Sequence, residues 1–73
     1  MTEREQAEKW ILSKCGEIGE TVWHDLRNED LPAGISLAVI RSAIQRMNQT
    51  GQIVGRIIEP NNAIRKMKLT RLK

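Results

Sequence analysis

The side chains with chemistry to offer here are a set of carboxylates, one thiol, one imidazole and a run of cations. Glu17, Glu20, Asp25, Glu29 and Asp30 are close in sequence. None has beside it the nucleophile, metal ligands or glycine-rich phosphate loop that acid–base, metal or phosphoryl chemistry requires. Cys15 is the single cysteine, so the chain cannot close an internal disulfide or assemble a zinc site, and the thiol reads as a small buried hydrophobe. His24 is the single histidine and reads as a surface residue. The expectation is a protein that is not an enzyme and has no cofactor, metal or small-molecule ligand.

The cations are distributed differently. From Met1 to Ile35 the acids Glu3, Glu5, Glu8, Glu17, Glu20, Asp25, Glu29 and Asp30 outweigh Arg4, Lys9, Lys14 and Arg27. From Ser36 onward a single acid, Glu59, faces Arg41, Arg46, Arg56, Arg65, Lys66, Lys68, Arg71 and Lys73. The formal net charge of +3 is therefore the sum of an acidic half and a strongly basic one. Such segregation suits a polyanionic partner on one side of the molecule. Tyr and Phe are absent, and Trp10 and Trp23 read as core residues, with a partner interface as the alternative. That leaves no aromatic platform for stacking single-stranded bases. No apolar run reaches the roughly 20 residues that cross a bilayer. The opening Met1-Thr2-Glu3-Arg4-Glu5 lacks the features of a secretory signal, so a cytoplasmic protein is expected.

The elements that must position these cations follow from periodicity. The 73 residues suit one domain, with no repeat or linker. Thr2 with Glu5 forms a capping box, and Ala7, Trp10, Ile11, Cys15 and Ile18 make the apolar arc of a first helix ending near Gly16 or Gly19. Leu12 lies just off that arc. Thr21 caps a short second helix in which Val22, Trp23 and Leu26 share a face, with His24, Arg27 and Asn28 outward. Pro32 and Gly34 break the chain, and Ala33-Gly34-Ile35 forms a turn. Ser36 caps a third helix running to about Thr50, with Ile35 stapled to Ile40 and an apolar stripe of Ile40, Ala43, Ile44 and Met47. Gly51 stops it. Two extended stretches, Gln52 to Ile58 and Ile64 to Leu72, flank the turn Pro60-Asn61-Asn62 and predict a β-hairpin.

The order helix, helix, turn, helix, hairpin resembles the winged helix-turn-helix superfamily of DNA-binding domains over nearly the whole chain. The closest match runs from Gly34-Ile35-Ser36 through Leu37-Ala38-Val39-Ile40-Arg41-Ser42-Ala43-Ile44-Gln45-Arg46-Met47 to Gly51-Gln52-Ile53. It is similar to the turn, recognition helix and first wing strand of many bacterial and phage regulators of transcription. In one respect the chain departs from the pattern: the interval from Leu26 to Gly34 is longer than the usual turn. The resemblance implies an α+β fold of three helices and a C-terminal wing, and sequence-specific binding of double-stranded DNA. It places Leu37, Ala38, Arg41, Ser42 and Gln45 at base edges, Arg41 suiting guanine, Gln45 adenine, and Ala38 or Leu37 a thymine methyl. Ser36 and the helix-start amides would hold a phosphate, and Arg46 would reach the backbone. In the wing, Arg56, Arg65, Lys66 and Lys68 would contact phosphates or the minor groove, alternation putting some of them on the opposite face.

Two other partners compete with duplex DNA. In one reading the same module docks a protein through its third helix or wing, which the apolar Leu37 and Val39 favour; in the other it binds double-stranded RNA. A homodimer or cooperative copies on DNA are also expected, because one recognition helix specifies only a few base pairs. Trp10 and Leu12 of helix one are the candidate contact.

Overall fold

The computed structural model describes residues 2–26, 31–61 and 64–73. In chain order its elements are α1 (Glu3–Lys14), β1 (Thr21–Asp25), α2 (Leu37–Gln49), β2 (Ile53–Asn61) and β3 (Ile64–Arg71). The strands form one antiparallel sheet in the order β1-β3-β2. Both helices lie on one face of it, and among the described residues the other face is left open.

The α1 helix starts as its capping residues dictate. Thr2 Oγ1 accepts a 3.1 Å bond from the Glu5 amide and donates to the Glu5 carboxylate at 3.2 Å. The glutamate thus turns to the threonine hydroxyl rather than to a backbone amide. Ala7 and Ile11 are buried, and Trp10, Leu12 and Cys15 pack half-covered against the core. Ile18, expected on the apolar arc, lies beyond the helix and is 69% exposed.

The expected second helix is not formed. Thr21 to Asp25 are strand β1, so the three helices and wing hairpin are corrected to two helices and a three-stranded sheet among the described residues. The physical reason is cross-strand pairing. Val22 faces Leu69 and His24 faces Met67, residues that are fully buried on β3. A β-branched and an aromatic residue in succession also suit a pleated surface better than a helix turn. Alternation then sends Trp23 to the open face, where it is 52% exposed instead of joining the core. Arg27 and Asn28 lie outside the described residues.

The α2 helix matches its sequence signals at both ends. A turn closed by the Ile35 amide on the Pro32 carbonyl, with Gly34 at φ 77°, delivers the chain to Ser36. The Ser36 hydroxyl accepts from the Val39 amide at 3.4 Å. At the far end Gly51 takes φ 75°, and its amide reaches Asn48 O while the Gln52 amide reaches Met47 O. This paired bonding is the left-handed glycine stop that satisfies otherwise orphaned carbonyls. Ile40, Ala43, Ile44 and Met47 form the buried stripe, packed with Ala7 and Ile11 of α1 and with Ile53, Met67 and Leu69 of the sheet.

Strand β2 runs further than expected. Pro60 and Asn61 belong to β2, and Asn61 pairs with Ile64 across a register shift between Ile58 and Asn61. A proline tolerates a strand at such an irregularity because it has no amide to contribute to the ladder. Asn62, the third residue of the expected turn, lies outside the described residues.

Gly55 lies where side chains of α2 and of the sheet crowd the backbone of β2. A Cβ there would stand 2.9 Å from Ile53 Cδ1, 3.1 Å from Ile44 Cγ2 and 3.1 Å from Leu69 Cδ2. Gly55→Ala should therefore overpack the core and lower the unfolding free energy by about 1–3 kcal/mol in urea denaturation. Unchanged stability would contradict this packing.

Candidate nucleic-acid interface

The solvent face of α2 carries Ala38, Arg41, Ser42 and Gln45, all exposed, with Ser36 exposed at its start. This is the face opposite the buried stripe, and helical spacing puts these side chains on it. Two expected site residues are placed otherwise. Leu37 is half-buried and packs against the core. Arg46 is turned toward α1, its Nε 3.6 Å from Glu8 Oε1, buried and without a hydrogen bond. Arg4 approaches the same Glu8 oxygen at 3.6 Å, so this carboxylate joins the two helices.

Alternation along β3 divides the hairpin cations. Arg65 shares the parity of buried Met67 and Leu69 and lies on the helix side. Lys66 and Lys68 point to the open face, together with Arg56 of β2, which pairs with Lys68. The described residues therefore present two basic surfaces rather than one. The first combines the α2 face with Arg65. The second is the open sheet face, where Thr21, Thr70 and Val54 form one cross-strand row, Trp23, Lys68 and Arg56 the next, and Asp25, Lys66 and Ile58 the third. Thr21 and Thr70 share a 2.7 Å hydroxyl bond, and Lys68 Nζ stands 5.4 Å from the Trp23 ring centre.

Glu59 connects helix and hairpin on the first surface. Its carboxylate pairs with the Arg41 guanidinium from α2 and accepts from Arg65 Nε at 3.3 Å. One negative charge between two positive ones leaves that corner cationic and fixes two otherwise mobile side chains next to each other. Sequence reasoning missed this residue. Its signal was present: Glu59 is the only acid after Ser36, set among cations at the end of a strand.

Family models, curated proteins and solved structures yield no match to this chain.

No three His, Cys, Asp or Glu side chains come together as a metal site among the described residues, and no described helix is long and apolar enough to cross a membrane. His24 is held structurally, its Nε2 2.7 Å from the Lys14 carbonyl. Cys15 bonds the Ile11 carbonyl at 3.4 Å. Burial pushes its thiol pKa up, against a smaller downward pull from the Arg71 guanidinium. The thiol should therefore stay protonated near neutrality. Iodoacetamide at about pH 7.5 should alkylate Cys15 more slowly in the folded protein than in urea, with the folded rate climbing as pH rises. Equal rates in both states would show an exposed, unperturbed thiol.

Proposed function

We propose that the chain binds double-stranded DNA, laying the solvent face of α2 in the major groove with the Arg65 side of the hairpin against the adjoining backbone. The observation that carries this reading is the Glu59 junction, which gathers Arg41 of the helix and Arg65 of the hairpin into one cationic corner beside Ala38, Ser42 and Gln45. A major groove admits one α-helix and offers distinct donor and acceptor patterns to such side chains. Arg41 is the candidate for guanine, Gln45 for adenine and Ala38 for a thymine methyl, and the amides at the start of α2 suit a phosphate. Arg56, Lys66 and Lys68 attract DNA at long range from the open sheet face but contact it less. A small domain of this kind fits an accessory regulator of transcription in a reducing cytoplasm.

One observation favours a second reading, a module that docks a protein. Arg41 and Arg46 already have carboxylate partners in Glu59 and Glu8, and Ile18, Trp23, Val54 and Leu72 are large apolar side chains left exposed. Salt dependence separates the two. With about four phosphates engaged, log K for random duplex should fall against log salt with a slope of roughly −3 to −4, whereas a protein-docking module would show no such binding.

Substitutions should then fail in different ways. Arg41→Ala should cost about 1–3 kcal/mol on the best site and relax preference at one or two base pairs, while Arg65→Ala should weaken all sequences alike. Glu59→Gln removes a charge that repels DNA and holds both arginines. It should tighten duplex binding several-fold and steepen the salt slope by up to about 1. Weaker binding in that variant would mean the carboxylate positions Arg41 more than it competes for it, and unchanged binding would remove this corner from the interface.

A further inference from the structure

The two outer strands of the sheet are finished differently. On β2, the Asn48 side chain donates to the Gly55 carbonyl at 2.8 Å and accepts from the Gly55 amide at 2.7 Å. The free edge is thereby closed at that residue by a side chain of α2. Pro60 and a register shift interrupt the same strand further along. These are the devices by which native sheets prevent edge pairing. The β1 strand, Thr-Val-Trp-His-Asp, has no proline, lysine or bulge, and among the described residues no side chain caps its backbone.

The hydrogen-bond pattern identifies which groups of β1 are free. The Arg65 carbonyl accepts from the Leu26 amide and the Arg71 carbonyl from the Gly19 amide, so these positions of β3 face β1. Alternation gives Met67 and Leu69 the same direction. Their partners His24 and Val22 therefore spend their amides and carbonyls on β3. The amides and carbonyls of Thr21, Trp23 and Asp25 point the other way, along an edge that carries a half-exposed tryptophan.

We propose that the chain pairs with a second copy of itself along this edge, two β1 strands running antiparallel about Trp23 so that two three-stranded sheets become one continuous sheet. The strand is self-complementary in this register. Trp23 faces Trp23 of the second copy, an aromatic cross-strand pair on the open face. Val22 faces His24 on the helix side. Thr21 faces Asp25 twice, so each carboxylate meets a hydroxyl and never another carboxylate. All five residues of β1 are paired, and the groups that meet are those left free by β3. Lys68, stacked on the Trp23 ring, flanks the aromatic pair on either side. The surface is distinct from helix one, where Trp10 and Leu12 are already half-covered by the core. It is also independent of the DNA reading.

A contact of one short strand and one aromatic pair is smaller than a standard interface of about 800 Å² per partner, so the association should be of micromolar strength. Sedimentation equilibrium of the full chain should show the apparent mass rising from the 8.4 kDa of one copy toward twice that value as concentration is raised to about 1 mM. Trp23→Pro should remain folded, because that amide bonds nothing among the described residues, and should stay monomeric; Trp23→Lys provides the same test without altering the backbone. Register is read by cross-linking in a Cys15→Ser background. Directly opposed residues in a hydrogen-bonded antiparallel pair lie about 5.5 Å apart at Cα, within disulfide range. Trp23→Cys should therefore oxidise to a covalent dimer. Thr21→Cys should not do so alone, but should cross-link to Asp25→Cys when the two are mixed. A protein that stays monomeric to about 1 mM overturns the proposal, as does a Thr21→Cys dimer forming as readily as the Trp23→Cys one.

Discussion

Everything in this fold leans on β3, the strand that is paired along both sides. Met67 and Leu69 are fully buried there, and each anchors a residue of β1 on one side and of β2 on the other. The helices cover these side chains on one face only, so the intervening Lys66, Lys68 and Thr70 must face solvent. A period of two along one central strand thus decides both where the core lies and how the hairpin cations are shared between two surfaces. Loss of either buried side chain would loosen three strands at once.

The same constraint explains which parts of the architecture were legible in the sequence. Helix α2 could be read to within a residue because its signals are local: the Ser36 cap, the stripe from Ile40 to Met47 and the Gly51 stop all act within a few positions. The start of α1 was legible for the same reason, but its end was not, since the helix stops at Lys14, short of Cys15 and Ile18. The stretch from Thr21 to Asp25 was misread because Val22, Trp23 and Leu26 fit a helical arc as well as a strand, and what decides between them is Leu69 and Met67, far along the chain. Local pattern carries no record of a distant partner. Pro60 and Asn61 look like turn residues by composition, but the Asn61 to Ile64 pairing extends the strands past them.

The candidate site was legible in part. Ala38, Arg41, Ser42 and Gln45 share an exposed helix face, as period 3.6 requires. The division of Arg65 from Arg56, Lys66 and Lys68 follows from strand alternation and was foreseeable once the register was known. The roles of Leu37 and Arg46 were not foreseeable, since only packing against α1 and the core shows that one is half-buried and the other is turned toward Glu8. Glu59 could be noticed as the lone acid in a basic half, but its partners Arg41 and Arg65 are brought to it by the fold.

If α2 with the Arg65 side of the hairpin is the surface that meets duplex DNA, the amides of that surface should report it directly. Titrating isotope-labelled protein with a random duplex at low salt should shift the amide resonances of residues 36–45 and of Arg65, and leave Thr21, Trp23 and Val54 on the open face nearly unmoved. Shifts confined to Trp23, Arg56, Lys66 and Lys68, or no shifts at all, would contradict it.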